Sequence, residues 1–354
     1  MSRLPPNTTL PESAVLELTY DCNHKCRFCS CPWENTENPA LFYKKHEELS
    51  IYEWKRVLRI LERSGVRSVT ISGGEALLKE GFFELLLYIR KNTSLNNRRK
   101  IIIISNGAAM TEKHISLFKE TDVHLSLSLP GLTTYTYHTG TNNNSPDNVL
   151  HWLKRASDES IETTVNVTVT KRNYDELYET LANGLIAGAN TVLLNRFLVG
   201  GRGLSYQNEL ALSPDELRGL LDTAVEVLAL SKRVGSVGTE YPLCLIPNGG
   251  RAYKHLRTGS LCAAANGFFV IDPSGFIRTC NHSPKRVGHI FDDVIISDIG
   301  YWDTFAKRTF KLPEMCNNCS FKEDCDCGCR EAAAICHDSL SELDPCFEGS
   351  QLRR

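Results

Sequence analysis

The chain runs to 354 residues, 42% of them hydrophobic, which is enough for one large α/β domain and a smaller second one. A formal net charge of −2 with dispersed basic residues excludes the electrostatic footprint of a nucleic-acid or anionic-membrane binder. No apolar run reaches signal-peptide length near Met1 or the roughly 18 to 20 residues of a membrane span, so a cytoplasmic protein is expected, and its fourteen cysteines point to metal ligation over disulfides.

After a short N-terminal extension (1–13), β-type runs at Val15–Tyr20, Val66–Ser72, Lys100–Ser105, Val123–Leu129, Thr163–Thr170 and Thr191–Phe197 alternate with helical patterns. The helices are predicted at Ile51–Arg63, Gly81–Lys91, Thr111–Glu120, Pro146–Asp158 and Pro214–Ser231. Six strands with intervening helices predict an α/β fold: a parallel sheet or partial (β/α)6 barrel over 14–235, built from right-handed βαβ units. In such a fold reactive groups belong on the loops beyond the C-terminal ends of the strands. A Gly/Pro-rich stretch around Val234–Arg251 breaks the pattern, and ten of the fourteen cysteines lie at or after Cys244. A second, cysteine-rich domain is expected over 236–354.

Directly after the first strand comes Cys22-Asn-His-Lys-Cys26-Arg-Phe-Cys29. Three thiolates so close together can hold three irons of a [4Fe–4S] cube and leave the fourth open. Structural zinc is the competing reading, with His24 available as a fourth ligand, although zinc sites typically use C-x2-C pairs. Ser72-Gly73-Gly74-Glu75 follows the second strand and by itself is a tight turn with an acid at a helix start. Ser105-Asn106-Gly107 after the third strand is by itself a turn, Ser126 and Ser128 lie on the fourth, and Asn195-Arg196 ends the sixth.

The C-x3-C-x2-C triplet after a first strand, with the aromatic Phe28 before its last cysteine, resembles the signature of the radical S-adenosylmethionine (SAM) superfamily. That resemblance implies that Cys22, Cys26 and Cys29 hold the catalytic [4Fe–4S] cluster, and that Phe28 packs beside it. It also implies that Gly73, Gly74 and Glu75 take the SAM amino group and that Ser105, Asn106, Ser126, Ser128 and Arg196 make further SAM contacts. The implied chemistry is reductive cleavage of SAM to methionine and a 5′-deoxyadenosyl radical that abstracts a substrate hydrogen, the protein's part being to bind, orient and exclude water.

Towards the C-terminus the cysteines read Cys262-x12-Gly275-x4-Cys280, then Cys316-x2-Cys319-x5-Cys325-x3-Cys329, then Cys346. Phe268–Ile271, Asp272-Pro273-Ser274-Gly275 and Phe276–Thr279 read as a β-hairpin with its turn. The spacings, over about 85 residues, are similar to the seven-cysteine SPASM extension of radical SAM proteins. The similarity implies two auxiliary iron–sulfur clusters of [4Fe–4S] type, the first on Cys262, Cys280 and Cys329 and the second on Cys316, Cys319, Cys325 and Cys346. The first is one ligand short; Cys244 or Cys327 completes it, or it stays open to substrate. A zinc-ribbon-like C-terminus is the alternative. Cys31 and Cys336 are surplus and are expected to be packing residues.

Proteins of the seven-cysteine class mostly modify peptides or proteins, so the resemblance implies a maturase giving an oxidative modification or cross-link. Sulfatase maturation is disfavoured, because the position after the hairpin cysteine, a catalytic Asp in those relatives, is Asn281, which cannot accept a proton. With the first strand starting near residue 14 there is no room for a leader-recognition domain, so either a separate leader-binding protein delivers the substrate or the barrel mouth recognises it. Leu129-Pro130-Gly131 and the polar loop at His138-Thr139-Gly140 are candidates to face it. A flavodoxin- or ferredoxin-type donor is the expected electron source. The alternatives are a radical SAM enzyme acting on a sugar or amino-acid derivative, and a non-enzymatic zinc or iron–sulfur protein. Asp326 and Glu331 are the nearby acids, with nothing beyond their cysteine-rich neighbourhood to assign them a role.

Overall fold

A computed structural model describes residues 4–5, 8–34, 47–97, 99–246 and 253–347; part of the Gly/Pro-rich stretch and the last seven residues lie outside the described residues. Eight strands follow one another across a parallel sheet: β1 (Ser13–Glu17), β2 (Ser68–Ser72), β3 (Ile102–Ser105), β4 (His124–Ser128), β5 (Glu162–Val169), β6 (Thr191–Arg196), β7 (Val234–Val237) and β8 (Leu256–Arg257). Their order gives the α/β, open-barrel architecture expected from the alternating pattern. Helices α1 (Ile51–Arg63), α2 (Phe82–Asn92), α3 (Glu112–Thr121), α5 (Pro146–Asp158), α6 (Leu177–Ile186) and α8 (Pro214–Ser231) provide the crossovers, and α4 (Tyr135–Thr139) and α7 (Gln207–Leu210) are short insertions.

The helices form where local chemistry starts them. α1 opens with a capping box, Glu53 N–H donating to Ser50 Oγ at 3.3 Å and Ser50 N–H to Glu53 Oε2 at 2.8 Å, and α8 repeats the device with Ser213 and Glu216 on either side of Pro214. Trp54, Val57, Leu58 and Leu61 then fall on one face of α1 and are fully buried. Each such side chain contributes roughly 1.5–3 kcal/mol on leaving water. Helix α6 is absent from the helices predicted above: it lacks a Ser/Thr/Asp/Asn cap, starting from Glu176 after a short 3-10 turn, and leaves the apolar Tyr178 and Ile186 in solvent.

The C-terminal cysteine-rich segment is not a separate layer. β9 (Phe269–Ile271) pairs in parallel with β1, opposite β2, and carries with it the antiparallel β10 (Phe276–Arg278) and β11 (Arg286–His289). The expected hairpin forms between β9 and β10. Asp272 closes its turn, accepting from Ser274 N–H at 2.9 Å and Phe276 N–H at 3.0 Å, and Gly275 takes a φ of +90° that a side chain would resist. Helices α9 (Ile299–Ala306) and α10 (Arg330–His337) complete the segment, and buried ion pairs tie it to the barrel: Arg278 with Glu17 and Arg196 with Asp344.

Candidate active site at the strand ends

The loop after β1 carries Cys22, Cys26 and Cys29, and three backbone elements clamp it. From one side α4 accepts Lys25 N–H on Thr139 O and Arg27 N–H on His138 O, both at 2.9 Å. His138 is itself locked between Thr134 O (3.0 Å) and Thr170 Oγ1 (2.8 Å), and Gly140 passes so close that a Cβ would sit 2.7 Å from Lys25 O. The His138-Thr139-Gly140 loop therefore braces the cysteines. From the other side the turn at Gly201–Tyr206 closes in: Gly203 N–H donates to Cys29 O at 3.1 Å, Arg202 Nη1 to Cys26 O at 3.3 Å, and Arg202 pairs with Glu34. From the third, Asn106 Nδ2 donates to Asn23 Oδ1 at 2.7 Å and lies 3.9 Å from Cys22 Sγ.

Burial pushes the Cys22 thiol up to about 12 and Cys26 well up, and it drives His24 down to about 4, so that imidazole is neutral. Cys29 is lowered, chiefly by a hydrogen bond from the Cys31 thiol. Cys31 thus lies beside Cys29 in the same loop. Thiols with these values need an electropositive occupant to deprotonate them.

Beside the thiols the ends of β2 and β3 form a cradle. A Cβ on Gly74 would lie 2.3 Å from Asp21 O, and one on Gly73, at φ +147°, 2.9 Å from Thr19 O, so the chain can approach here only as glycine. Glu75 turns inward: Oε2 accepts from Asn106 N–H at 2.8 Å, and Oε1 from Ser105 Oγ at 2.9 Å and Leu77 N–H at 3.1 Å. Burial raises this carboxyl, and those three donors oppose the shift.

One cavity gathers Cys22, Cys26, Phe28, Cys29, Gly74, Glu75, Ser105, Asn106 and Ser128, with Tyr135 and Thr139 of α4 on its wall. Three predicted residues stand apart. Gly73 shapes the turn without lining the cavity, and Ser126 is buried on β4 with its hydroxyl unpartnered. Arg196 faces the other way. Side chains alternate along β6, so Asn195 reaches Asn166 Oδ1 (2.8 Å) while Arg196 points across the sheet to the Asp344 carboxylate and to Glu240 O at 3.0 Å. The donor set (three thiols, a glycine approach and a fixed carboxylate) fits an iron–sulfur cluster with a polar organic ligand.

The C-terminal cysteines form two sets. Cys262, Cys280 and Cys329 are mutual neighbours, Cys329 capping α10 and accepting Ala332 N–H at 3.4 Å. Cys316, Cys319 and Cys325 form the other set, joined by Cys327, whose sulfur lies 3.3 Å from Cys316 Sγ, and by Cys244. Cys346 sits beside Cys327 and the Arg196–Asp344 pair. Cys336 packs with Phe197, Val199 and Leu210. Among the described residues no three His, Cys, Asp or Glu side chains are drawn to the spacing of a single ion's ligands.

Between the two cysteine regions opens a second cavity of about 310 Å3, bordered by Pro32 after the first cysteine loop, His282 and Lys285 after the hairpin, and Tyr301 and Glu331. Tyr301 OH donates to the Glu331 carboxylate at 2.9 Å, and His282 Nε2 donates to Val199 O at 2.7 Å, leaving a buried, unpartnered Nδ1. Sequence reasoning named Glu331 only as a nearby acid and missed the rest of this wall, and it missed Glu17. Asn281 Nδ2 donates to Glu17 Oε1 at 3.0 Å, so a carboxylate stands one hydrogen bond behind the position that carries Asn. The available signal was a lone acid inside the apolar run Val15-Leu16-Glu17-Leu18.

No helix among the described residues is long and apolar enough to cross a membrane. Residues 16–183 match the radical SAM superfamily. Over 359 residues, 99% of this chain and 89% of the other, the sequence is 25% identical to a PqqA peptide cyclase of Xanthomonas campestris pv. campestris. It is 27% identical over 352 residues, 96% and 83% of the two chains, to the mycofactocin maturase MftC of Mycolicibacterium smegmatis. Among solved structures, Streptococcus suis SuiB bound to its precursor peptide SuiA superposes with a TM-score of 0.70 at 17% identity, covering 95% of this chain and 75% of that one. The structure of anSMEcpe with AdoMet and the Cp18Cys peptide does so with a TM-score of 0.70 at 17% identity, covering 95% and 93%. With its strand-end cysteine loop and glycine–carboxylate cradle, the segment 16–183 is similar to the radical SAM superfamily, and the two C-terminal cysteine sets follow it in the chain.

Proposed function

We propose that this enzyme uses SAM to oxidise a peptide or protein substrate, leaving a modified residue or a cross-link. Cys22, Cys26 and Cys29 would hold the [4Fe–4S] cluster, and the Cys262 and Cys316 sets two auxiliary clusters. The chemistry supplied there is one-electron reductive cleavage of SAM and abstraction of a substrate hydrogen. The chain's own residues bind and shield. Gly74 and Glu75 receive the amino group of SAM, Ser105 and Asn106 hold the Glu75 carboxylate in place, and Phe28 and Tyr135 exclude water.

The observation that carries the peptide reading is the second cavity, open between the two cysteine regions and walled by hydrogen-bonding groups suited to a backbone or side-chain N–H or O–H. Relatives named for peptide cyclisation and maturation support it. A separate leader-binding protein and a flavodoxin- or ferredoxin-type donor complete the proposal, in the cytoplasm.

The test is anaerobic reconstitution followed by iron and sulfide counts and a dithionite-driven assay for 5′-deoxyadenosine. Wild type should hold about 12 irons and the Cys22/Cys26/Cys29→Ala variant about 8, with only wild type cleaving SAM. Short peptides encoded beside the gene should then lose the mass of two hydrogens. Stoichiometric zinc without iron or SAM cleavage would sink the enzyme reading. SAM cleavage coupled to a small molecule, with every such peptide unchanged, would sink the peptide reading alone.

A further inference from the structure

The first auxiliary set has three thiols, and neither spare cysteine is placed to make a fourth. Cys327 belongs to the second set, its sulfur 3.3 Å from Cys316 Sγ and its N–H donating to Cys325 Sγ at 3.3 Å. Cys244 goes with it: the N–H of the adjacent Leu243 donates to the same Cys325 sulfur at 3.5 Å, and the thiol faces Cys325, Cys319 and Cys316.

A different side chain stands at the first set. Tyr241 N–H donates to Gly259 O at 2.9 Å, which lays residue 240 alongside the strand of chain leading into Cys262. From the opposite direction Arg196 Nε donates to Glu240 O at 3.0 Å. The same guanidinium pairs with Asp344, whose Oδ2 accepts Cys329 N–H at 2.6 Å. Glu240 is therefore wedged between the backbone that presents Cys262 and the backbone that presents Cys329. Its carboxylate accepts the N–H of Ala263, the residue after Cys262, and its charge acts on all three thiols. Glu331, the other acid near Cys280, is already engaged by Tyr301 OH at 2.9 Å and Thr279 Oγ1 at 3.2 Å.

We propose that Glu240 is the fourth ligand of the first auxiliary cluster, closing with a carboxylate oxygen the site made by Cys262, Cys280 and Cys329. The assignment rests on the iron–sulfur reading above. A carboxylate brings the same single negative charge as a thiolate, so the ligand set keeps its net charge of −4. It replaces one soft donor by a hard one and so marks one iron as chemically distinct.

The full-length chain with Cys22, Cys26 and Cys29 replaced by Ala isolates the auxiliary clusters, and iron counting, Mössbauer and EPR spectroscopy read them without any turnover. On that background about 8 irons are expected. Glu240→Ala should bring the count to about 7 and yield the EPR signal of a three-iron cluster. Glu240→Cys should restore the full count with the distinct iron site abolished, which also shows that the position tolerates substitution. Glu331→Gln should leave count and spectra unchanged. The proposal is overturned if Glu240→Ala keeps the parent's count and spectra, or if Glu331→Gln produces the loss instead. A parent that holds no iron overturns the iron–sulfur reading itself, and the ligand assignment with it.

Discussion

The barrel and the cysteine-rich segment are held together by opposite means. Strands β2 to β6 and their helices bury chiefly Val, Ile, Leu and Phe, with hydroxyls such as those of Ser126 and Thr163 among them and Arg196 the charged exception at the end of β6. Residues 253–347 have four short strands and two short helices, and in their interior lie Arg278, Arg330, Asp326, Glu331 and Asp344. A barrel of that kind folds on its hydrophobic pattern. The C-terminal segment is instead organised by charge and, once loaded, by iron, because a buried ion pair adds little net stability yet is costly to break by halves.

That contrast can be broken most severely by withholding iron. The iron-free chain should lose amide protection across 253–347 while β2 to β6 remain protected, as hydrogen exchange would report; uniform loss would erase the distinction. Arg278→Met strands the Glu17 carboxylate and should cost about 3–5 kcal/mol in urea unfolding, with much of it recovered in the Glu17→Leu/Arg278→Met double variant. Leu125→Ala, in the fully buried part of β4, should cost about 2–5 kcal/mol with no such rescue available.

At the smaller end, Ser50→Ala removes the α1 cap and should cost about 1 kcal/mol. Glu53 is held below its ordinary value, chiefly by the Ser50 N–H, so its contribution is complete above the ordinary carboxylate range and disappears as pH falls through the lowered folded value. Ser50→Ala keeps that N–H but loses the Ser50 hydroxyl's bond to Glu53 Oε2 (2.7 Å), and the part of the deficit that comes from this bond should shrink over that acid range in pH-dependent melting curves. Ser126→Ala should move stability by no more than about 0.5 kcal/mol in urea unfolding, since its hydroxyl has no partner to lose.

The strand series and the cysteine spacings were legible because both are local: periodicity of two, turn residues and C-x-x-C intervals need no knowledge of distant chain. Apart from α6, whose start lacks a local cap, the main failures are long-range. Nothing near Phe269 announces a parallel partner at Ala14, and β8, two residues long, is too short to carry a pattern. Arg196 was read as a ligand contact from its place at a strand end, yet alternation alone decides which of Asn195 and Arg196 looks inward, and the register of β6 is set by its neighbours. Glu240 sits in an unremarkable stretch, and its value comes only from the chain segments that converge on it.

The parallel ladder of β1 with β9 fixes the spacing of two cysteine regions. The loop bearing the first three cysteines leaves the end of β1, and the hairpin bearing Cys280 continues from β9, so one run of backbone hydrogen bonds sets how far apart their cargoes sit. No hinge intervenes along that ladder. The separation of those two cysteine-bearing segments is thus a fixed property of the sheet, as constant as a strand repeat.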